Sequence, residues 1–387
     1  MSGVADIVVV GGGPVGLSFA LAAAGEADVN VTVIDRESVP AIPPAGEFDH
    51  RVYALSPASK GFLQSLGVWA KIDGARVAAV DAMEVFGDDD GAIHFRQAAS
   101  LACIVEHGAL MRALHMAADA TAANLSRRQG AALASLDRVG SQLRAHLDNG
   151  DSIAADLLVG ADGARSRVRE NAGIGVDNKD YESDALVANF HCEQPHRHIA
   201  RQWFLADSVL AWLPMPQGQI SLVWSVERKR ADALSALDPD AFAAAVAVAG
   251  GQVLGRLTMA SPLARFPLRR QIADHWSQHS LVLIGDAAHA IHPLAGQGVN
   301  LGFGDAETLA TTLRDRSRVS AVGDPALLRR YERARREQVF AMGEATDRLR
   351  SLYLQASPAI RKLRNAGLST VDRLPFLKRA FMAYAMN

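Results

Sequence analysis

Apolar residues in this chain gather in short unbroken runs, and most of these runs stop at glycine or an acid. Ile7-Val8-Val9-Val10 is apolar and β-branched, which predicts a strand buried on both faces, as in a parallel sheet. It meets Gly11-Gly12-Gly13-Pro14-Val15-Gly16, after which Leu17 to Ala24 reads as a helix. Val31-Thr32-Val33-Ile34 predicts a second strand and ends in Asp35. Leu157-Leu158-Val159 runs into Gly160-Ala161-Asp162-Gly163, and Leu281-Val282-Leu283-Ile284 into Gly285-Asp286. Between these runs the pattern changes. Leu143 to Ile153 reads as a hairpin around Asn149-Gly150-Asp151, and Leu186 to Trp224 is β-rich. Within it, Leu210–Pro214 and Ile220–Trp224 flank a Pro216-Gln217-Gly218 turn. Ala231–Ala249, Leu301–Leu313 and Pro325–Tyr353 read as helices. The expectation is an α/β fold in which a second, β-rich domain is inserted into a Rossmann-like one.

Bulk properties narrow the class. A chain of 387 residues can bury a large core and hold two structural domains. A net charge of −2 argues against a nucleic-acid binder. No apolar run approaches the roughly 18 residues that would span a bilayer, and the first strand begins too early for an export signal, so a cytoplasmic protein is expected. Cys103 and Cys192 have no metal or redox spacing and read as reduced thiols.

The first glycine-rich turn has the order strand, Gly-x-Gly-x-x-Gly, helix, strand, acid. Gly11 permits the tight turn, Gly13 lets a pyrophosphate approach the backbone, and Gly16 lets helix and strand pack closely. The helix start, at Pro14 and Val15, offers free N–H groups and partial positive charge to phosphates. Asp35 lies 19 residues after Gly16, near the spacing of about 20 at which a carboxylate reaches ribose hydroxyls, and an acid there disfavours a 2′-phosphate. Arg36 follows, either over an adenine or in solvent. Asp162-Gly163 and Asp286 also sit at strand C-termini, where open α/β sheets bind ligands. Arg165, Arg167 and Arg169 read as a solvated basic face. Two glycine loops far apart in sequence, at 11–16 and 285–300, suggest one long cofactor held at both ends. His289 and His292 have H-x-x-H spacing, but Pro293 interrupts any helix that would aim both at a metal, so no metal site is expected.

With these residues in view, the chain resembles the single-component FAD-dependent aromatic hydroxylases, the p-hydroxybenzoate hydroxylase-like class. Three motifs match in order: the first glycine turn, Asp162-Gly163 and Gly285-Asp286. Within the class it is most similar to the ubiquinone-biosynthesis hydroxylases, through Asp49-His50-Arg51-Val52-Tyr53-Ala54-Leu55-Ser56, His292–Gly302 with Asp305, Phe266-Pro267-Leu268, and Tyr331-Glu332 with Arg335. Where the class more often has Glu, this chain has Asp35.

The resemblance implies resident FAD and transient NAD(P)H. Gly11, Gly13 and Gly16 would hold the pyrophosphate, Asp35 the ribose, and Arg51 and Arg112 the phosphate or flavin region. Asp162 and Gly163 would serve both nucleotides, and Gly285-Asp286 the ribityl end. Pro293, Gly296, Gln297, Gly298, Val299 and Asn300 would run along the isoalloxazine. It further implies ring hydroxylation with O2 through a flavin C4a-hydroperoxide, on a polyprenylated phenol of ubiquinone biosynthesis. The residues leave two alternatives open: a small soluble phenol or aromatic acid as substrate, and a non-catalytic FAD-binding scaffold. No side chain is singled out as a catalytic base.

The expected division is a cofactor domain at 1–76, 105–180 and 263–350, a substrate domain at 77–104 and 181–262, and a C-terminal helical segment at 351–387. In that segment Arg361, Lys362, Arg364, Arg373, Lys378 and Arg379 lie among apolar groups, which suits either packing on the cofactor domain or a peripheral contact with the inner membrane face or a biosynthetic complex.

Overall fold

The computed structural model describes residues 4–41, 43–44, 46–96, 100–121, 124–291, 298–317, 319–354, 364–366, 370 and 372. Of the expected flavin-side loop, Pro293, Gly296 and Gln297 lie outside these residues, as do His292 and most of the C-terminal segment.

A six-stranded sheet forms the cofactor side. Its order is Ser277–Gln278, Leu281–Leu283, Leu157–Gly160, Ala5–Val10, Val29–Asp35 and Leu125–Gln129. All neighbours are parallel except the short first strand. The apolar runs form its centre: Val9, Val159 and Val282 are fully buried. Helix Pro14–Ala23 makes the crossover after the first strand, with Gly13 as N-cap and Pro14 in its first turn. Helix Gly298–Arg314 packs against it, and Pro325–Leu354 packs against that helix in turn. Parallel pairing points the strands one way, so Asp35, Asp162 and Asp286 all emerge at one end of the sheet.

The β-rich part is a nine-stranded sheet. Along its main path lie His289–Ala290, Ala264–Ala273, Val176–Cys192, Gln219–Glu227, Ser208–Pro214, Ile199–Phe204, Ala82–Phe86 and Ala92–Arg96, and Leu257–Met259 pairs beside Val176–Cys192. The sheet continues across the expected boundaries at 180 and 263, because Val176–Ala273 and Ala185–Phe266 are partners along the same two strands. The helix expected over Ala231–Ala249 is two helices, Arg228–Ser235 and Pro239–Ala249. Pro239 cannot continue the first, and Asp238 caps the second by accepting from the Ala241 N–H at 2.8 Å. Both helices cover one face of the sheet, burying Leu186, Trp212, Leu222 and Trp224 against Phe242 and Val246.

The opposite face leans on the cofactor part. There the Asn189 amide donates to the Phe48 and Asp49 carbonyls at 3.2 and 3.1 Å, and Phe204 stacks on Tyr353 of the last long helix. Of the two readings of the C-terminal basic groups, packing on the protein holds for Arg364, which is buried: its guanidinium pairs with Asp88 and caps the long helix through the Leu352 and Tyr353 carbonyls. Among the described residues no helix is long and apolar enough to cross a membrane.

Candidate cofactor site

The site is built from loops at one end of the six-stranded sheet, and their close approach is visible in the glycines. Gly11 has φ +106°, and a Cβ there would lie 2.3 Å from the Ala161 carbonyl oxygen, so this turn and the Asp162 loop are in contact. A Cβ on Gly16 would meet the Gly11 carbonyl at 2.0 Å. Gly13 differs, since a Cβ there would find no atom within 4 Å. The open side of the turn is therefore the side at which the helix N-terminus presents its N–H groups. Val15 reaches the other glycine loop: a Cβ on Gly302 would lie 2.5 Å from its side chain, and one on Gly285 3.3 Å away.

Three carboxylates border this opening, and they are not equivalent. Asp35 lies against Gly12, whose Cβ would sit 2.5 Å from Oδ2, and it accepts from the Glu37 N–H at 3.1 Å. Burial raises its pKa. Asp162 accepts from the Arg167 and Val168 N–H groups at 2.7 and 3.1 Å, holding the start of helix Arg167–Asn171. Its Oδ1 is buried without a partner, and burial raises its pKa. One carboxylate oxygen, Oδ2, therefore holds the loop, while Gly163, at φ +81°, has open space where a side chain would be. Asp286 has no hydrogen-bond partner among the described residues. It opens on the cleft from a position crowded by protein, which raises its pKa despite the nearby charges of His289 and Arg51.

Around the strand Val52–Leu55 lies a second group. Arg51 is exposed, with its guanidinium 5.6 Å from the Tyr53 ring centre. The Tyr53 hydroxyl is 2.9 Å from His107 Nδ1. Burial pushes the Tyr53 pKa up to about 12 and, together with Arg51, pulls that of His107 down, so the pair is neutral at physiological pH. Arg112 donates to the Ala41 carbonyl at 3.0 Å, beside the loop that follows Asp35. Arg36 is exposed. Gly298 and Val299 begin helix Gly298–Arg314. Asn300 is buried and its side chain ties that helix to the Arg51 strand, accepting from the Ser56 N–H at 3.0 Å and donating to the Ala54 carbonyl at 2.9 Å.

Two features of the site were not read from the sequence. Arg169 is not a solvated basic group. It is buried and donates to the Ala164 and Ala287 carbonyls at 2.8 and 2.9 Å, joining the Asp162 loop to the Asp286 loop. Behind Asp286, the His289 and Arg335 side chains converge on Asp305. His289 Nε2 is 2.6 Å from the Asp305 carboxylate, and Trp276 packs on its ring. A charged residue on the buried stripe of a helix, four residues from Leu301 and from Leu309, was the signal for this cluster.

These residues fit FAD. The open side of Gly13 and its helix start suit a pyrophosphate, Asp35 a ribose, and the unpartnered Asp286 a polyol. Both glycine loops meet at Val15, as one extended dinucleotide requires.

Comparison with known proteins agrees with this geometry. Residues 4–346 match the FAD binding domain family. The chain is 37% identical to the ubiquinone hydroxylase UbiL of Rhodospirillum rubrum, covering 99% of this chain and 90% of that protein. It is 34% identical to the 3-demethoxyubiquinol 3-hydroxylase of Escherichia coli, covering 99% and 98%. Among solved structures, the p-nitrophenol 4-monooxygenase PnpA of Pseudomonas putida superimposes over 100% of this chain and 99% of its own with a TM-score of 0.78 at 18% identity, a likeness of fold. The chain belongs to the FAD binding domain family and, within it, to the FAD-dependent hydroxylases of ubiquinone biosynthesis.

Proposed function

We propose that this enzyme hydroxylates the ring of an uncharged phenol bearing a long apolar tail, a precursor of ubiquinone, using NAD(P)H and O2. The observation that carries the substrate reading is the sheet face turned toward the cofactor part. Strand register places Ala264, Val187, Val223, Ala211, Gln202 and Val85 in one row across it. The next row is Phe266, Ala185, Ser225, Val209 and Phe204. Neither row contains an ionisable side chain. A substrate carboxylate over these two rows would lose its hydration without gaining a cation from them, which is strongly unfavourable. Val187, Val209 and Val223 are only half-buried, whereas Leu186 and Trp224 on the helix-covered face are buried. The surface therefore retains apolar area for a ligand to cover.

FAD, when bound, supplies hydride acceptance from the nicotinamide and activation of O2. The chain's own residues supply the setting. The N–H groups following Gly13 would hold the pyrophosphate, Asp35 and Asp286 would accept from hydroxyls, and Arg51 adds positive charge beside Asp286. Tyr53 and His107 keep this wall neutral. The valine and alanine rows exclude water and hold the ring by apolar contact.

The supporting experiment is NAD(P)H oxidation by the purified holoenzyme with matched phenols. Prenylated uncharged phenols should stimulate it, and the same ring carrying a carboxylate in place of the tail should not. Equal stimulation by both would remove the substrate reading. Approach to a bilayer-borne tail is part of the proposal. The full chain should sediment with anionic liposomes more than a variant with Lys378→Gln and Arg379→Gln, which keeps the buried Arg364, and equal sedimentation would remove the membrane contact of this segment.

A further inference from the structure

We infer that Asp305 is a positioning residue for cofactor capture, fixing the Gly285 turn so that Asp286 faces the cleft. The inference rests on the reading of Asp286 as a cofactor ligand.

Asp305 lies in helix Gly298–Arg314 and is fully buried. Its carboxylate accepts from three elements at once: the Gly285 N–H at 2.9 Å, His289 Nε2 at 2.6 Å and Arg335 Nε at 2.8 Å. Arg335 also donates to the Leu301 carbonyl at 3.0 Å, closing the cluster onto the start of the same helix. Gly285 and His289 flank the Asp286 turn on both sides, so one buried carboxylate grips both of its ends. Asp286 has no hydrogen bond of its own among the described residues. Its direction is therefore set by its backbone, and that backbone is in turn set by Gly285, held at φ +59°. Arg169 supports the same turn from the other side through the Ala287 carbonyl.

Charge and positioning predict opposite effects. Asp305 is an anion near an anionic cofactor, so by Coulomb's law alone its removal would tighten binding. Positioning predicts weaker binding, and only while Asp286 is present to be positioned.

The test is a double-mutant cycle on FAD affinity, read by titrating apoprotein with FAD, using Asp305→Asn, Asp286→Asn and the pair, with the melting temperature of each apoprotein alongside. In the native background, Asp305→Asn should raise the FAD Kd by about tenfold or more; in the Asp286→Asn background the rise should be less than about twofold. The same factor in both backgrounds, or tighter binding in the first, overturns the inference. Unchanged affinity for Asp286→Asn alone overturns the ligand reading beneath it. Should Asp305→Asn not fold, His289→Phe, which keeps a ring on Trp276 and loses one bond to Asp305, enters the same cycle with the same criteria.

Discussion

Replacing Asp286 by Asn separates cofactor binding from stability in an unusual direction. The carboxylate has no hydrogen-bond partner within the described chain, so the substitution breaks no internal bond. Its pKa is raised, which means that the folded protein disfavours the ionised form. At neutral pH the charge therefore works against the fold, and the apoprotein of Asp286→Asn should melt at the same temperature as the parent or higher. Binding should move the other way. Charge-assisted hydrogen bonds from ribityl hydroxyls are worth about 1.5–3 kcal/mol. At about 1.4 kcal/mol per tenfold, FAD affinity should fall by roughly 10- to 150-fold. Flavin fluorescence during titration of apoprotein reads the affinity, and calorimetry of the same apoprotein reads the fold. Unchanged affinity would refute the assignment. A substantially lower apoprotein melting temperature would show that the carboxylate holds the loop rather than the cofactor.

Other substitutions separate the glycines and the buried cluster. Gly13→Val should leave the apoprotein melting temperature nearly unchanged, because nothing lies within 4 Å of the added Cβ, yet abolish FAD uptake. Gly16→Ala, whose Cβ would lie 2.0 Å from a backbone oxygen, should instead lower the apoprotein melting temperature. Asp305→Asn should destabilise the protein by about 3–5 kcal/mol at neutral pH, measured by urea unfolding, because it leaves the buried Arg335 guanidinium without a counter-charge. Burial alone would raise the Asp305 pKa, but His289 and Arg335 hold it below its ordinary value of 3.8. A depressed carboxylate contributes fully above that value and loses its contribution as pH falls through its lower folded pKa, so the stability gap to Asp305→Asn should be constant at neutral pH and shrink below 3.8.

The parallel strands were legible because each is a short apolar run stopped by glycine or acid, a pattern that burial on both faces imposes. The three acids at strand ends were legible for the same reason, since the end of a run marks the end of a strand. Reading stopped where a side chain's partner lies far away in sequence. Arg169 looked like one of three surface arginines, and only the fold brings Ala287, 118 residues away, to its guanidinium. Asn300 was legible as part of the loop matched to the flavin, but not the second task of its side-chain amide, which ties that helix to Ser56 and Ala54, 244 and 246 residues away. The domain limits at 180 and 263 followed composition, which does not register that one strand, Val176–Cys192, extends from one environment into the other. Alanine content favours helix over all of Ala231–Ala249 and masks the break that Pro239 imposes between Ser235 and the second helix.

The central claim is that this chain, with FAD bound, places oxygen on the ring of an uncharged, tailed phenol. Mass analysis of the product formed by purified holoenzyme under isotopically heavy O2, with NAD(P)H and a prenylated phenol, tests it most directly. A single heavy oxygen should appear in the ring, formed in proportion to the nicotinamide consumed. Nicotinamide consumption with no labelled product, or labelling only of a carboxylate-bearing ring, would contradict it.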